Sequence, residues 1–243
     1  MILSALKSVV DFIVPPRCLL CHDIIGTTGH FCGPCWRQLN FITAPQCDIC
    51  GVPFDSGYDD KMVCAPCLTH PPIYTQARSA LVYDGVSKKL LLPFKHGDAT
   101  YLAPALGKQM ALVSYEILNK TDYITPVPLH WKRLFKRRYN QAALLTQHLE
   151  KFSQGSLILD LLSRSKNTQP QGHLSKKQRE ENVHKVFSVN PKYATLLKGK
   201  SVTLVDDVLT SGATLNACAK ALKRAGVKDV YALTLARVVP GRF

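Results

Sequence analysis

The feature that most restricts the fold of this chain is a series of paired cysteines near its beginning. Eight of the nine cysteines form four Cys-x-x-Cys pairs: Cys18 and Cys21, Cys32 and Cys35, Cys47 and Cys50, and Cys64 and Cys67. Two thiolates separated by two residues can bind one tetrahedral metal ion from a tight turn, and a second pair completes the site. Ten residues separate the first two pairs and thirteen separate the last two. This spacing predicts a double zinc ribbon in residues 18–72, with sequential pairing favoured over an interleaved arrangement.

The main alternative for so many cysteines is a disulfide-bonded scaffold, which requires an oxidising compartment. The apolar residues 1–14 do not match a secretory signal, because Lys7 and Asp11 interrupt them and no small-residue cleavage site follows. We therefore predict two zinc sites and a cytoplasmic protein. The zinc is expected to be structural, replacing a core that this segment is too poor in large apolar residues to build. Direct contact with a partner or with nucleic acid is the alternative. Residues 1–17 are predicted to form a short amphipathic helix.

A second domain is predicted to begin after the linker His70-Pro71-Pro72 and to occupy residues 73–243. Its apolar runs alternate with helical patterns. Strands are predicted at 79–83, 123–128, 157–162, 201–205 and 230–238, and helices at 103–118, 140–152 and 214–225. This alternation is typical of an α/β fold with a parallel sheet and helices on its faces.

The segment with the clearest chemistry follows the strand predicted at 201–205. Two acids come at the end of this strand, and a loop of small residues then opens into a helix; the residues are Asp206, Asp207, Thr210, Ser211, Gly212, Ala213 and Thr214. Backbone N–H groups and hydroxyls at a helix N-terminus favour a phosphate monoester. Carboxylates at the carboxyl end of a strand can accept hydrogen bonds from sugar hydroxyls. The segment therefore predicts a site for a phosphorylated ribose, rather than a turn that the acids merely cap.

Positive charge is concentrated in the second domain. The net charge is +14, but residues 1–72 contain four Lys/Arg against six Asp/Glu, whereas residues 73–243 contain 27 against 11. Five of these cations lie within residues 132–138, and Arg137 and Arg138 are the last two. Such a cluster can neutralise a pyrophosphate, contact a nucleic-acid backbone, or simply form a solvated helix start. The sequence alone leaves these three interpretations open.

Residues 202–214 resemble the signature of type I phosphoribosyltransferases that binds 5-phosphoribosyl 1-pyrophosphate (PRPP). The resemblance implies that Asp206 and Asp207 hold the ribose hydroxyls, that residues 210–214 hold the 5′-phosphate, and that Mg²⁺ bridges the ribose and the pyrophosphate. The whole chain resembles the ComF family of competence proteins, which joins a double zinc ribbon to a phosphoribosyltransferase domain. The further matching residues are 94–98, 126–128, 138–142, Arg164 with Gln171, and Arg179 with Asn182. That family usually has a glycine where this chain has Arg138.

The family resemblance implies a protein that handles incoming single-stranded DNA in the cytoplasm during natural transformation. It also implies PRPP as a ligand and other DNA-uptake or recombination proteins as partners. Three aromatic residues near the basic cluster are candidates for base stacking or for ordinary packing: Trp131, Phe135 and Tyr139.

The competing interpretation is an enzyme that transfers phosphoribose from PRPP to a nucleobase or related acceptor. The intact Asp206-Asp207 pair favours it, although no catalytic residue can be named. Only residues 239–243 follow the last predicted strand. An acceptor site would therefore have to come from residues 73–120 or from the zinc module.

Overall fold

The computed structural model describes residues 14–56, 62–129, 134–135, 138–164 and 186–241. Most of the helix predicted for residues 1–17 lies outside these ranges, as do Trp131 and Arg137. Within the described residues, no helix is long and apolar enough to cross a membrane.

A five-stranded parallel sheet forms the centre of the molecule. Its strands are β1 (Gln76–Val82), β2 (Tyr123–Pro126), β3 (Ser156–Leu157), β6 (Ser201–Leu209) and β7 (Asp229–Arg237). Two further strands, β4 (Leu162–Arg164) and β5 (Phe187–Val189), lie outside it. The sheet has the order β1-β7-β6-β2-β3, while β4 and β5 form a separate antiparallel pair. Residues 201–205 of the central strand β6 are all buried. A parallel strand covered on both faces requires such an apolar run, which is why the sequence revealed it.

Two short helices lie in the cysteine-rich segment, α1 (Gly33–Gln38) and α2 (Ala65–Thr69). The helices that cover the two faces of the sheet are α3 (Gly85–His96), α4 (Ala103–Val113), α5 (Tyr115–Asn119), α6 (Gln141–Leu149) and α7 (Ala213–Arg224). Short 3₁₀ turns lie at Thr100–Leu102, Glu150–Phe152 and Pro191–Tyr193. Helices α3 to α6 contribute one apolar core, including Phe94 and Leu106. Helix α7 packs into a second core through Leu215, Cys218 and Leu222. The predicted α/β class is confirmed.

The structure differs from the sequence prediction at four points. The strand predicted at 157–162 is not continuous: β3 ends at Leu157 and β4 begins at Leu162, and the turn between them is held by Asp160, which accepts a hydrogen bond from Tyr193 Oη at 2.7 Å. Helix α3 was not predicted; it begins at a capping box in which Asp84 accepts hydrogen bonds from the backbone N–H groups of Val86 and Ser87. The helix predicted for 103–118 breaks at Ser114, whose Oγ donates to the Met110 carbonyl. The strand predicted to end at Val205 continues to Leu209, because β7 is equally long and pairs with it throughout.

The cysteine-rich segment covers the exposed edge of β1. The N–H of Ile42 donates to the Ala80 carbonyl at 2.9 Å, and the N–H of Val82 donates to the Asn40 carbonyl at 2.8 Å. Further along, the N–H of Ala77 donates to the Ile49 carbonyl at 2.7 Å. An uncovered edge strand exposes unpaired backbone groups that invite aggregation. The segment therefore completes the sheet edge as well as forming its own metal-binding turns.

Candidate functional site

The predicted phosphate loop lies at the carboxyl edge of the sheet, between β6 and α7. Gly212 is buried and adopts φ +76°, the left-handed conformation that glycine accepts without strain, and it is the residue before α7. Thr210, Ser211, Ala213 and Thr214 are exposed around it. The loop therefore places three hydroxyls and the N-terminal N–H groups of a twelve-residue helix where an anion can reach them.

The two acids of the motif lie inside β6 and are half-buried. Successive side chains of a strand point to opposite faces, so the two carboxylates are directed differently. Asp206 Oδ1 accepts a hydrogen bond from the backbone N–H of Asp207 at 2.8 Å. Asp207 forms an ion pair with Lys95 of α3, with Oδ2 and Nζ 3.2 Å apart. These two side chains are only 15% and 18% exposed, so water screens the pair weakly.

Lys95 is a site residue that the sequence analysis did not single out. It lies in the last turn of α3, within the segment 94–98 that carried part of the family resemblance. A second such segment binds to the same turn: Tyr139 Oη donates to the Phe94 carbonyl at 2.7 Å, and Gln141 Nε2 donates to the Lys95 carbonyl at 3.2 Å. The hydrogen bonds of Tyr139 and Gln141 thus hold α3 where Lys95 reaches the acid.

Of the two arginines predicted for the pyrophosphate, the structure describes Arg138, whereas Arg137 lies outside the described residues. The side chain of Arg138 is 80% exposed and forms an ion pair with Asp98 at 3.1 Å. Its backbone has φ +64°, in the region that favours glycine. The chain therefore keeps a glycine-type conformation at this position while presenting a cation there.

The aromatic candidates for base stacking differ in their surroundings. Phe135 is 83% exposed, beside the basic cluster. Tyr139 is half-buried, and its ring lies 6.4 Å from that of Phe94. Because Tyr139 also donates to a backbone carbonyl, it packs against α3 in the way that the alternative interpretation expected. Phe135 is the aromatic side chain of the described part of this cluster that a nucleic-acid base could reach.

The cysteines form two clusters with sequential pairing, as predicted. The first cluster contains Cys18, Cys21, Cys32 and Cys35, and the second contains Cys47, Cys50, Cys64 and Cys67. Within each cluster all four sulfur atoms lie within 4.8 Å of one another. The sulfurs of Cys21 and Cys32 are 3.7 Å apart, and those of Cys50 and Cys64 are 3.6 Å apart. These distances match the ~3.8 Å between sulfurs bound tetrahedrally at about 2.3 Å from zinc. The donor set and spacing of both clusters fit structural zinc.

The second cluster is attached to the α/β domain by two arginines. Arg78 of β1 donates from Nη1 to the carbonyls of Asp48 at 3.1 Å and Cys47 at 3.4 Å. Arg237, at the end of β7, donates from Nη1 to the Cys50 carbonyl. A zinc ion with four thiolates carries a formal charge of about −2, so these two guanidinium groups also balance its charge. This attachment brings the second cluster beside the phosphate loop.

Comparisons with known proteins agree with both parts of this arrangement. A model for the double zinc ribbon domain matches residues 9–68, and a model for the phosphoribosyl transferase domain matches residues 158–240. The chain is 29% identical to Competence protein F of Haemophilus influenzae over 91% of this chain and 96% of that protein. It is 27% identical to the DNA utilization protein YhgH of Escherichia coli K12 over 93% and 99%, and 29% identical to Competence protein ComFC of Bacillus subtilis over 85% and 83%.

The chain resembles ComF-type proteins over nearly its whole length. The resemblance predicted from the motifs is therefore confirmed. The relatives are named for competence and DNA utilization, and the chain shares with phosphoribosyl transferases the domain matched at residues 158–240.

Proposed function

We propose that this chain is a zinc-containing, PRPP-binding cytoplasmic protein that handles incoming single-stranded DNA during natural transformation. One observation carries the PRPP part of this proposal. The sheet brings Asp206, Asp207 and the loop of residues 210–214 together at its carboxyl edge, where parallel α/β sheets bind their ligands. The loop would hold the 5′-phosphate, and the acids would hold the ribose hydroxyls.

Mg²⁺ is proposed to accompany PRPP. The two carboxylates are the hard oxygen donors that this ion prefers, and Mg²⁺ usually binds through one or two carboxylates together with substrate phosphates. When bound, the ion would neutralise charge on the pyrophosphate. Lys95 pairs with Asp207 and would balance the charge of that acid until PRPP binds.

Binding of PRPP is tested by isothermal titration with Mg²⁺ present. We expect the double substitution of Asp206→Asn with Asp207→Asn to abolish detectable binding. Asp229→Asn is the matched control, because it removes a carboxylate at the opposite end of the neighbouring strand β7. Retention of wild-type affinity in the double variant would refute the proposed ribose site.

The DNA part of the proposal is supported by the names of the relatives and by the charge of the second domain. Arg138 is exposed and its pair with Asp98 is a surface ion pair, which contributes little to stability and can be exchanged for a phosphate. Exposed Phe135 lies close by in the sequence. Contacts with phosphates are independent of base sequence and weaken as salt rises.

Charge reversal tests this surface. We expect Lys136→Glu, Arg137→Glu and Arg138→Glu together to weaken binding of single-stranded DNA at least tenfold at low salt, similarly for every base sequence. The matched control reverses three lysines before strands at the opposite edge of the sheet: Lys120, Lys198 and Lys228. An equal loss in both triple variants would mean that net charge, rather than this surface, binds the DNA.

An active phosphoribosyltransferase is the alternative proposal, and the same two acids support it. It predicts release of pyrophosphate from PRPP that depends on one acceptor and disappears in the Asp206 and Asp207 double variant. Bound PRPP without release under any acceptor would favour PRPP as a structural or regulatory ligand.

A further inference from the structure

A cavity of about 480 Å³ lies between the second cysteine cluster and the phosphate loop. Cys64 and Cys67 form part of one wall, and Thr210, Ser211 and Gly212 form part of another. The cavity is within the size range of sites for small organic ligands. It lies next to the proposed PRPP site but is built from different elements, chiefly the zinc ribbon and the end of β7.

Arg237 is the charged group of this cavity with the most unusual surroundings. The residue is 9% exposed, and it has no carboxylate partner among the described residues. Nη1 is held by the Cys50 carbonyl, whereas Nε is buried and has no hydrogen-bond partner there. A buried donor without an acceptor costs about 1–3 kcal/mol. Arg237 nevertheless lines the cavity, and beyond the Nη1 bond its guanidinium has donors for which the described residues offer no carboxylate.

The remaining walls limit the chemistry of a ligand. Val52, Phe54, Tyr74 and Val239 give the cavity apolar surfaces, which suit a flat or compact organic ring. The Asp55 carboxylate also lines the cavity. Together with the nearby thiolates it disfavours a further multiply charged anion next to the 5′-phosphate proposed at the loop. A neutral carbonyl, or a single carboxylate at a smaller cost, can accept from the guanidinium.

We propose that this cavity binds a small planar molecule that presents a carbonyl or carboxylate oxygen to Arg237, with the second cysteine cluster as its wall. The inference deepens the proposed function and rests on it in one respect, since the molecule would lie beside the PRPP phosphate. It gives the second zinc site a role in ligand binding that the first does not have.

The test uses the full zinc-loaded chain and four probes that differ in one group. Hypoxanthine and benzoate present a carbonyl and a carboxylate, while adenine and benzylamine present nitrogen donors in their place. Binding is measured by ligand-observed NMR at millimolar concentration, with and without PRPP and Mg²⁺. We expect the two oxygen-bearing probes to bind and the two comparators to bind at least tenfold more weakly.

Two variants then locate the binding. Arg237→Met keeps an unbranched apolar stem but removes the donors, and we expect it to weaken binding of the oxygen-bearing probes about tenfold to a hundredfold. Because Arg237 also holds the second cluster, Val52→Phe serves as an independent test, since it retains the arginine and fills the cavity. Leu68→Phe is its matched control, because that side chain is 67% exposed on α2 and does not line the cavity. Zinc content is measured for each variant.

The outcomes separate this inference from the proposed function. Probe binding that is selective for oxygen and is lost in Val52→Phe but not in Leu68→Phe supports the site, whether or not PRPP binds. PRPP binding without any probe binding overturns the inference and leaves the PRPP proposal intact. Equal binding of all four probes, or binding that survives both cavity variants, also overturns it. If the probes bind but PRPP does not, the PRPP-binding proposal is refuted and the inferred cavity site is retained.

Discussion

The two cysteine clusters have the same local construction but different surroundings. In each, the third cysteine precedes a short helix and the fourth lies within it after a proline, as in Cys32, Pro34 and Cys35. All four cysteines of the second cluster are buried, whereas Cys21 of the first is exposed. The second cluster is also held by Arg78 and Arg237 from the sheet. The first cluster therefore holds together only the turns that carry its cysteines, whereas the second cluster is also bonded to the α/β domain and lines its candidate ligand site.

The largest effect that distinguishes the clusters should come from removing one zinc ligand from each. Cys67→Ala and Cys35→Ala are matched, because both cysteines are buried and follow a proline in a short helix. We expect each variant to bind one zinc per chain instead of two. Cys67→Ala should lower the stability of the α/β domain by on the order of 3–5 kcal/mol, because structural zinc binding is coupled to folding and this site packs on the sheet.

Zinc content by atomic emission and unfolding in urea followed by circular dichroism check this prediction. Cys35→Ala should leave the main unfolding transition and PRPP affinity nearly unchanged. Equal destabilisation by the two variants would mean that the clusters do not differ in their coupling to the domain.

The two clusters also differ in the residue that follows their second cysteine, which is His22 in the first cluster and Gly51 in the second. His22 has φ +65° and Gly51 has φ +68°, and each N–H donates to the first cysteine's carbonyl, in Cys18 or Cys47. The conformation is the same, but a Cβ at position 51 would lie 2.7 Å from the backbone oxygen of Ala77 in β1. Histidine is tolerated in the first turn, whereas the second turn needs glycine because a Cβ there would clash with the backbone of β1.

We therefore expect Gly51→Ala to destabilise the protein by about 2–4 kcal/mol, the sum of left-handed strain and a backbone contact that must shift. His22→Gly should instead change stability by less than about 1 kcal/mol, because relief of strain is offset by added freedom in the unfolded chain. Midpoints of urea unfolding for the two variants give the comparison. A mild effect of Gly51→Ala would show that the second turn can move away from β1.

The contrast between these turns also shows what could be predicted from the sequence. Cysteine spacing is a local pattern, so the two clusters were predicted correctly. The acidic loop motif is local too, and its role as a phosphate site stays a prediction. The contacts that join them are not local: Arg237 bonds a carbonyl 187 residues away, and Lys95 reaches Asp207 from a helix with no distinctive pattern. Lysines are common on helices, and only packing of α3 on the sheet reveals which acid this one meets. The end of β6 was misplaced for a similar reason, since its partner strand decides its length.

Removal of a docking arginine should have a smaller effect than the change at Gly51. Arg78→Met removes the donor shared by the carbonyls of Cys47, Asp48 and Ala77, and we expect a loss of about 1–3 kcal/mol. Arg37→Met is the counterpart in the first ribbon, where the exposed arginine lies on α1, and it should change stability by less than about 0.5 kcal/mol. Thermal unfolding with measured zinc content separates loss of docking from loss of metal. Identical unfolding of the two variants would contradict the assigned role of Arg78.

The smallest effect is expected at Asp84, the N-cap of helix α3, which also bonds Asn40 in the segment that follows the first cysteine cluster. Its carboxylate accepts from Asn40 Nδ2 at 2.6 Å and from the N–H groups of Val86 and Ser87. Burial would raise the pKa of this carboxyl, but the hydrogen bonds from Ser87 and Asn40 outweigh it, and the pKa lies below its ordinary value. The folded state therefore favours the charged form. Its stabilisation is present above the pKa of the unfolded chain and is lost as the pH falls through the lower pKa of the folded chain.

A helix cap of this kind contributes about 1 kcal/mol, so Asp84→Ala should cost that amount at neutral pH and progressively less in acid. The difference in unfolding free energy between wild type and variant, measured across the acid range, checks the sign. A constant difference would mean that packing, not the charged cap, explains the loss. A difference that shrinks with acid would show that the contact between residue 40 and α3 depends on charge, whereas the second cluster is held by guanidinium groups that stay charged throughout this range.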